Sequence, residues 1–393
     1  MSKIDQLINQ LCPDGVEYRT LGSLEDAGLI TLGRGKVISK QDIQNNPGDY
    51  PIYSSSATNN GLLGSYGAYM FDEELITWSI DGGGKFFYRP ASRYSVTNVC
   101  GWLRVNDDQI NAKYLYHTLL NEWHKKVFDY VHKAHPSTIR KEYAIPMPPL
   151  EVQNEVVRIL DSFTELTTEL TAELATRKKQ YEYYKEKLFD MGSKVAFVET
   201  SEITTDRFWL MPATPNYIEN GIPYITSKNV RNGSIDFSDV KYISETDYKL
   251  ISKNRSLRTG DLLITMIGTI GETAFVGDNT EFYGQNIYVI RIDETKCLKR
   301  YYYHYLTMEK IKNSLISRKN ASSQGYIKAG SIEKLSLPLP SILEQKRVTD
   351  LLDKFENLCN DVAEGLPAEI ESRKKQYKFY RNKLLAFDEL KVA

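Results

Sequence analysis

Cysteine is scarce. The 393 residues hold four, Cys12, Cys100, Cys297 and Cys359, and none forms the CxxC pair that seeds a zinc site or a redox motif. Buried thiols in a reducing compartment are the expectation. Long apolar runs are missing as well: none approaches the ~18 residues a membrane-spanning helix needs. The opening MSKIDQLINQLC mixes charge and amides too freely for a secretory signal, which points to the cytoplasm. Charge of one sign is absent, with 50 Lys and Arg against 51 Asp and Glu, so any surface for an acidic polymer must be local. Segment 193–337 is the most basic, with 19 cationic side chains against 16 acidic ones.

Motifs for chemistry are missing too. Gly82-Gly83-Gly84-Lys85 fails the GxxxxGK[ST] spacing of a phosphate-binding loop and reads as a tight turn. Met147-Pro148-Pro149-Leu150 lacks the acidic or amide residue with which an amino-methyltransferase holds its substrate amine. His124, His132 and His135 have no carboxylate or cysteine at a supporting spacing, so surface or phosphate-side histidines are expected and a metal is not. The expectation is a chain with no catalytic site and no bound cofactor.

What is present is a duplication. Ile145-Pro146-Met147-Pro148 recurs as Leu337-Pro338-Leu339-Pro340. At the same offset Gln153 meets Gln345, Val156 meets Val348, and Leu160-Asp161-x-Phe163 meets Leu352-Asp353-x-Phe355. Four residues out of step, the pentapeptide Arg177-Lys178-Lys179-Gln180-Tyr181 returns as Arg373-Lys374-Lys375-Gln376-Tyr377. The preceding segments echo each other weakly: Pro51, Ser55, Asn60 and Gly61 parallel Pro223, Ser227, Asn232 and Gly233, and Asn98 falls opposite Asn286.

The fold class that follows is α+β: two globular mixed α/β domains separated by two long antiparallel helices, a coiled-coil spacer, related by a pseudo-twofold internal duplication. Residues 1–145 form the first globular domain, 146–192 the first helical region, 193–337 the second domain and 338–393 the second helical region. Runs such as LLITMIG, ETAFVG and NIYVIRI predict strands, and helical spacing predicts helices over 112–130 and 298–318. The Pro pairs end each globular unit. A helix over 151–190 carries Val152, Val156, Ile159, Leu160, Phe163, Leu166, Leu170 and Leu174 as an apolar stripe, and a second over 343–387 carries Val348, Leu351, Leu352, Phe355 and Leu358. Neither can bury its stripe alone, so the two repeats are expected to pack antiparallel. Gly365-Leu366-Pro367 is expected to interrupt the second, with the glycine as a C-cap.

Two variable globular units alternating with two repeated helices resemble the specificity subunit of Type I restriction-modification enzymes. The echoes are Pro13-Asp14-Gly15-Val16-Glu17-Tyr18, the Pro-x-Pro exits, and the RKKQY helix ends continued by Tyr184, Lys187, Leu188 and Tyr380, Lys383, Leu384. The tetrads Phe163–Leu166, Thr167–Leu170 and Thr171–Leu174 look like the spacer repeats of the IC-like subfamily. The opening of the second unit, MPATPNYIENGIPYI, departs from the family pattern in lacking glycine and lysine near its start. The resemblance implies that each globular domain reads one half of a bipartite, asymmetric double-stranded DNA target. It implies that the helices fix the gap and dock two modification (methyltransferase) subunits, with restriction/translocase subunits as further partners. S-adenosylmethionine is then the partner methyltransferase's cofactor. A self-contained DNA-modifying enzyme and a stand-alone DNA-binding regulator or architectural protein are the competing classes.

Base reading needs side-chain donors and acceptors on loops, with cations alongside for phosphates. The first domain offers Ser54, Ser55, Asn59 and Asn60, then Lys85 behind three glycines, then Arg89, Arg93 and Asn98. The second offers Ser227, Lys228, Asn229, Arg231 and Asn232, the pair Gln285-Asn286, and Lys319, Ser322 and Gln324. Asn and Gln suit adenine and Arg suits guanine; the same residues also populate ordinary turns. For partner docking the expectation is the duplicated Arg177, Lys178, Lys179 and Tyr181 with Arg373, Lys374, Lys375 and Tyr377, although basic residues also suit any helix C-terminus.

Overall fold

The computed structural model describes residues 2–56, 58–129, 131–231, 233–318, 325–361 and 364–390. The chain folds as two compact units, Met1–Leu170 with Ile370–Ala393, and Thr171–Glu369. The helical regions drawn at 146–192 and 338–393 are thus divided between the units. Six helices matter here: α1 (Lys3–Leu11), α2 (Ala112–Trp123), α3 (Leu150–Phe189), α4 (Lys299–Leu306), α5 (Ile342–Asn360) and α6 (Leu366–Leu384).

In the first unit a six-stranded sheet runs in the order Ile30–Arg34, Cys100–Val105, Phe71–Ser79, Phe86–Val96, Tyr50–Tyr53, Leu62–Tyr66. Its central hairpin cannot be straight. Phe71 pairs with Tyr94 at one end and Trp78 with Phe86 at the other, which in a flat ladder lie about 23 Å apart at ~3.3 Å per residue. Yet Val96 reaches Cys100, the partner of Ser79, in four residues that span at most ~14 Å. The hairpin therefore folds over, at the register shift between Glu73 and Leu75, as bulges allow. Phe71 is brought onto Trp102, ring centroids 5.4 Å apart.

The second unit has a four-stranded sheet ordered Thr204–Leu210, Ile287–Ile292, Leu262–Thr265, Thr273–Phe275, and a three-stranded one ordered Lys241–Ile243, Ile222–Ile225, Tyr283–Gly284. The strand runs read from sequence fall here, except that Met266-Ile267-Gly268 leaves the strand. The helix expected over 112–130 stops at Trp123, and that over 298–318 is broken into Lys299–Leu306 and Glu309–Ser317. At the break Met308 takes extended backbone and is fully buried. All four cysteines are buried free thiols; burial pushes Cys100 and Cys297 up to about 12.

Antiparallel packing holds within each unit. In the first, Phe163 of α3 stacks on Tyr380 of α6 at 5.2 Å, while Val156 and Leu160 share a core with Leu384 at the end of α6 and Leu385 just past it. In the second, Tyr184 of α3 stacks on Phe355 of α5 at 5.6 Å, and the charges of the earlier Arg177 and Lys178 act on the later Cys359. The α5 stripe differs from its sequence reading: Leu351 and Leu358 are exposed, and Gln345, Thr349 and Cys359 take the inner face. Gly365 is not a left-handed cap. A Cβ there would lie 2.6 Å from the Asn357 carbonyl and 2.7 Å from that of Asp361, so glycine is needed for the close approach.

Equivalent bonds seat both domains on their helices. Gln153 accepts from the Asn111 amide at 2.9 Å and donates to the carbonyls of Gln109 and Pro148 at 3.0 and 2.8 Å. Gln345 accepts from Leu298 at 2.8 Å and donates to Lys296 and Pro340 at 3.0 and 2.9 Å. The Tyr114 hydroxyl donates to Pro146 and that of Tyr301 to Pro338, at 3.0 and 2.9 Å. Both prolines lie in two-stranded ladders, Pro146 opposite Tyr18 and Pro338 opposite Phe197, where every strand is an edge and a missing N–H is tolerated. Because each buried glutamine satisfies three backbone groups, Gln153→Leu and Gln345→Leu are each expected to cost about 2–3 kcal/mol. Urea unfolding with a fluorophore in the corresponding unit measures this.

Candidate functional site

Folding over of the first sheet brings three loops to one place. The turn at Thr97–Cys100 is fastened to the strand before the first loop: Thr97 donates its amide to the Tyr53 carbonyl and its hydroxyl to Ser54 Oγ, both at 2.9 Å. The hairpin tip 80–85 meets that loop at Gly82, where a Cβ would stand 1.8 Å from the Ser55 carbonyl oxygen; no other residue fits. Ile80 donates to the Val99 carbonyl at 3.0 Å. Asn59 and Asn60 both adopt left-handed backbone, φ 46° and 52°, which asparagine tolerates better than most residues. They are exposed, as is Asn98, while Ser54, Ser55 and Lys85 are half-buried.

Arg89 corrects the sequence reading. It is only 2% exposed and so is withdrawn as a base contact. Its Nε donates to Thr77 Oγ1 at 2.9 Å and its Nη2 to the Asn60 carbonyl at 2.8 Å, while its guanidinium lies 3.6 Å from the Tyr53 ring centroid. Burial lowers its pKa. Arg89 is the peg on which the Asn59–Gly61 turn hangs. Arg93 is exposed but paired with Asp72 at 3.0 Å, over the Tyr69 ring at 4.9 Å; bonds to Tyr50 and Asp72 raise its pKa.

The second unit assembles the same three parts. Ser227 lies against the hairpin tip, its carbonyl accepting from Thr269 Oγ1 at 2.9 Å, and a Cβ on Gly268 would lie 3.0 Å from Ser227 Oγ. Met266 donates to the Asn286 carbonyl at 3.0 Å, and Asn286 is left-handed at φ 63°. Lys228 and Arg231 are exposed. Gln285 is half-buried and accepts from the Tyr224 hydroxyl at 3.4 Å. Asn229 is the second correction: at 7% exposure, its Oδ1 accepts from the Thr226 amide and its Nδ2 donates to the carbonyls of Asp236 and Asp239. Its polar atoms are engaged inside the loop. Asn232, Lys319, Ser322 and Gln324 lie outside the described residues.

Two residues beside these loops escaped the sequence reading. Thr269 is exposed at the second tip, and Lys133 pairs with Asp81 of the first tip at 2.9 Å. The signal for Thr269 lies in Gly268-x-x-Gly271, a glycine-flanked turn between the runs LLITMIG and ETAFVG. Lys133 is brought in by tertiary packing, through the Ala134 amide on the Ile80 carbonyl at 3.2 Å.

The duplicated helix ends divide into two faces. Lys178, Lys179, Lys374 and Lys375 are exposed and Arg177 and Arg373 half-buried, with Tyr183 and Phe379 standing 54% and 63% exposed at equivalent positions. Tyr181 and Tyr377 instead turn inward, the third correction. Each hydroxyl meets a histidine of its own unit at 3.2 Å, Tyr181 with His304 Nδ1 and Tyr377 with His117 Nδ1. The opposite ring nitrogens face Asp353 at 2.6 Å and Asp161 at 3.7 Å. His304, Asp353 and Glu356 could group around a cation, but the Arg300 guanidinium already bridges the two carboxylates.

Burial holds His117 and His304 below the ordinary 6.5, although the facing aspartates oppose it. The other charged or titratable neighbours include Lys113, Arg381, Tyr116 and Tyr377 around His117, and Arg300, Glu356, Tyr181 and Tyr303 around His304. Their folded forms bind fewer protons than the unfolded chain, so their contribution to stability is present above pH 6.5. It is lost as pH falls from there through the depressed folded values. Urea midpoints at pH 7.5 and 5.5 should differ more for the natural chain than for His117→Gln/His304→Gln. Separately, Arg89→Met should speed amide exchange at Asn59–Gly61 and cost about 1–3 kcal/mol.

Similarity to known proteins extends over most of the chain. The family model described as the type I restriction modification DNA specificity domain matches twice, at residues 13–177 and 210–372. A Haemophilus influenzae protein described as a type I restriction enzyme specificity subunit is 31% identical over 392 residues, 95% of this chain and 96% of its own. The Escherichia coli EcoR124I/EcoR124II specificity subunit is 32% identical over 72% of each chain. Among solved structures, one from work on complex assembly and conformational transition of the type I system has TM-score 0.62 at 14% identity, covering 95% of this chain and 98% of its own. The S subunit from M. genitalium has TM-score 0.56 at 15% identity, covering 94% and 96%. Both are similar in fold.

Proposed function

The chain belongs to the Type I restriction-modification DNA specificity family, and on that footing we propose how its two units divide the work of recognition. It is a non-catalytic subunit that reads DNA sequence within a restriction-modification complex. Each unit reads one half of a bipartite, asymmetric target through its three-loop cluster. Ser54, Ser55, Asn59, Asn60, Lys85 and Asn98 face one half-site; Ser227, Lys228, Arg231, Gln285 and Asn286, with Thr269, face the other. The observation that carries this reading is the recurrence of the cluster: in both units a serine loop packs on a glycine of a hairpin tip. Side-chain amides and hydroxyls on fixed backbone suit base edges, and the flanking cations suit phosphates.

The exposed lysines of the RKKQY segments, with Tyr183 and Phe379 beside them, supply the docking face for two methyltransferase subunits. S-adenosylmethionine is bound by those partners, and restriction/translocase subunits complete the nuclease form. A cytoplasmic location suits a complex that acts on DNA; among the described residues no helix is long and apolar enough to cross a membrane. A stand-alone DNA-binding regulator would lack this dependence on partners, so Lys178→Glu/Lys179→Glu separates the two readings. Methylation by the reconstituted complex should fall at least tenfold while DNA binding by the chain alone is retained.

Two further outcomes test the reading of DNA. Lys228→Ala/Arg231→Ala should weaken specific binding by about 1–3 kcal/mol if one of the pair makes a bidentate base contact, measured by gel-shift titration against cognate and scrambled duplexes. The tetrads Phe163–Leu174 lie where α3 passes from one unit to the other. Four helical residues advance about 6 Å and rotate about 400°, a net 40°, close to the roughly 34–36° of one B-DNA base pair. Deleting Thr167–Leu170 keeps the stripe nearly in phase and is expected to shorten the unspecified gap by one base pair with both half-sites unchanged. Methylome sequencing reads this directly; an active enzyme with an unaltered gap refutes the spacer role.

A further inference from the structure

The duplicated aspartate and tyrosine, parted by sequence, are rejoined by a residue outside the matching motifs. His117 lies on α2 and His304 on α4, helices of the globular domains, and both are buried, 4% and 0% exposed. Each faces two helices at once. For His117 the aspartate comes from α3, the helix that follows its own domain, and the tyrosine from α6 of the other repeat. For His304 the aspartate comes from α5, which follows its own domain, and the tyrosine from α3, again of the other repeat.

The chemistry of the partners sets the proton positions. A carboxylate only accepts, so the imidazole nitrogen facing it carries the hydrogen; Nδ1 then accepts from the tyrosine hydroxyl. At His304 a neutral imidazole in that tautomer is fully used only when both helices are in place; at His117 the tyrosine is within bonding distance and the aspartate faces the ring from 3.7 Å. If either helix shifts by a helical turn, about 5.4 Å, a buried ring nitrogen loses its partner. Glutamine seats each domain on one helix, whereas the histidine detects the pairing of two.

We propose that His117 and His304 are positioning residues that make the seating of each DNA-reading domain conditional on the pairing of the two helices, each domain being latched by the other repeat's tyrosine. Domain and helix pair then move as one body, and a half-site is read in register only while the pair is intact. The latch of the second unit is the tighter, since His304 meets its aspartate at 2.6 Å and His117 at 3.7 Å, where Lys113 takes the same carboxylate at 2.5 Å. The effect on specificity rests on the DNA reading above; the mechanical link does not.

The test uses the full chain with Tyr→Phe variants, which remove one hydroxyl and preserve packing volume. Amide exchange without DNA reads the link alone. Tyr181→Phe should speed exchange in Lys299–Leu306 by about fivefold, the worth of one hydrogen bond, and leave Ala112–Trp123 unchanged; Tyr377→Phe should act in the converse sense and less strongly. In the assembled complex, Tyr181→Phe and His304→Gln should each lower discrimination against single base-pair changes in the half-site read by the second domain, leaving the other half-site as before. Combining them should add nothing, because both break one link. Unchanged exchange, loss at both half-sites alike, or additive losses overturn the proposal. If the natural complex methylates no bipartite target, the DNA reading fails while the exchange result still decides the latch.

Discussion

An amphipathic helix of 40 residues cannot hold its apolar stripe in water, and two domains attached to a bare helix would have nothing to fix them. Covering α3 is the constraint on which the rest of this molecule depends. The sequence meets it by repeating itself: α6 covers the first part of α3 and α5 the remainder, each within a separate compact unit. Each unit therefore contains helix from both repeats. Neither half of the sequence is a complete folding unit by itself.

That arrangement explains which residues the duplication preserved. Matching glutamines, tyrosines and Pro-x-Pro carbonyls form the same bonds twice, and they lie where a domain meets its helices. The loops at the far end of each sheet keep a backbone plan and little else, a serine against a glycine and an asparagine near a turn. The seat is held constant while the side chains presented to solvent differ, a division expected of two readers with different ligands on one chassis.

Periodicity and internal comparison made the α+β class, the long helices, their antiparallel packing and the loop positions legible in the sequence. The missed features were those fixed by tertiary contact. Arg89 and Asn229 have the composition of base-reading residues, yet both are spent inside the protein, because a loop with many exposed polar groups needs a buried one to hold its shape. Tyr181 and Tyr377 sit in a basic run that reads as surface, and only the placement of His304 and His117, far off in sequence, turns them inward. The exposed Leu351 and Leu358 show that a spacing of three and four marks a face without saying how wide the covered part is.

The first loop is fixed by its carbonyls and by Arg89: the oxygens of Tyr53 and Asn60 are gripped, and Gly82 presses on that of Ser55. Of its exposed side chains, that of Ser56 also helps, its Oγ accepting from the Thr58 amide at 3.2 Å. A substitution at Asn59 or Asn60 by another residue that accepts left-handed backbone changes the chemistry offered to a ligand without unfastening the loop. Under the proposed reading, recognition at these two asparagines is separable from folding, so other specificities could be sampled there one side chain at a time at small cost in stability.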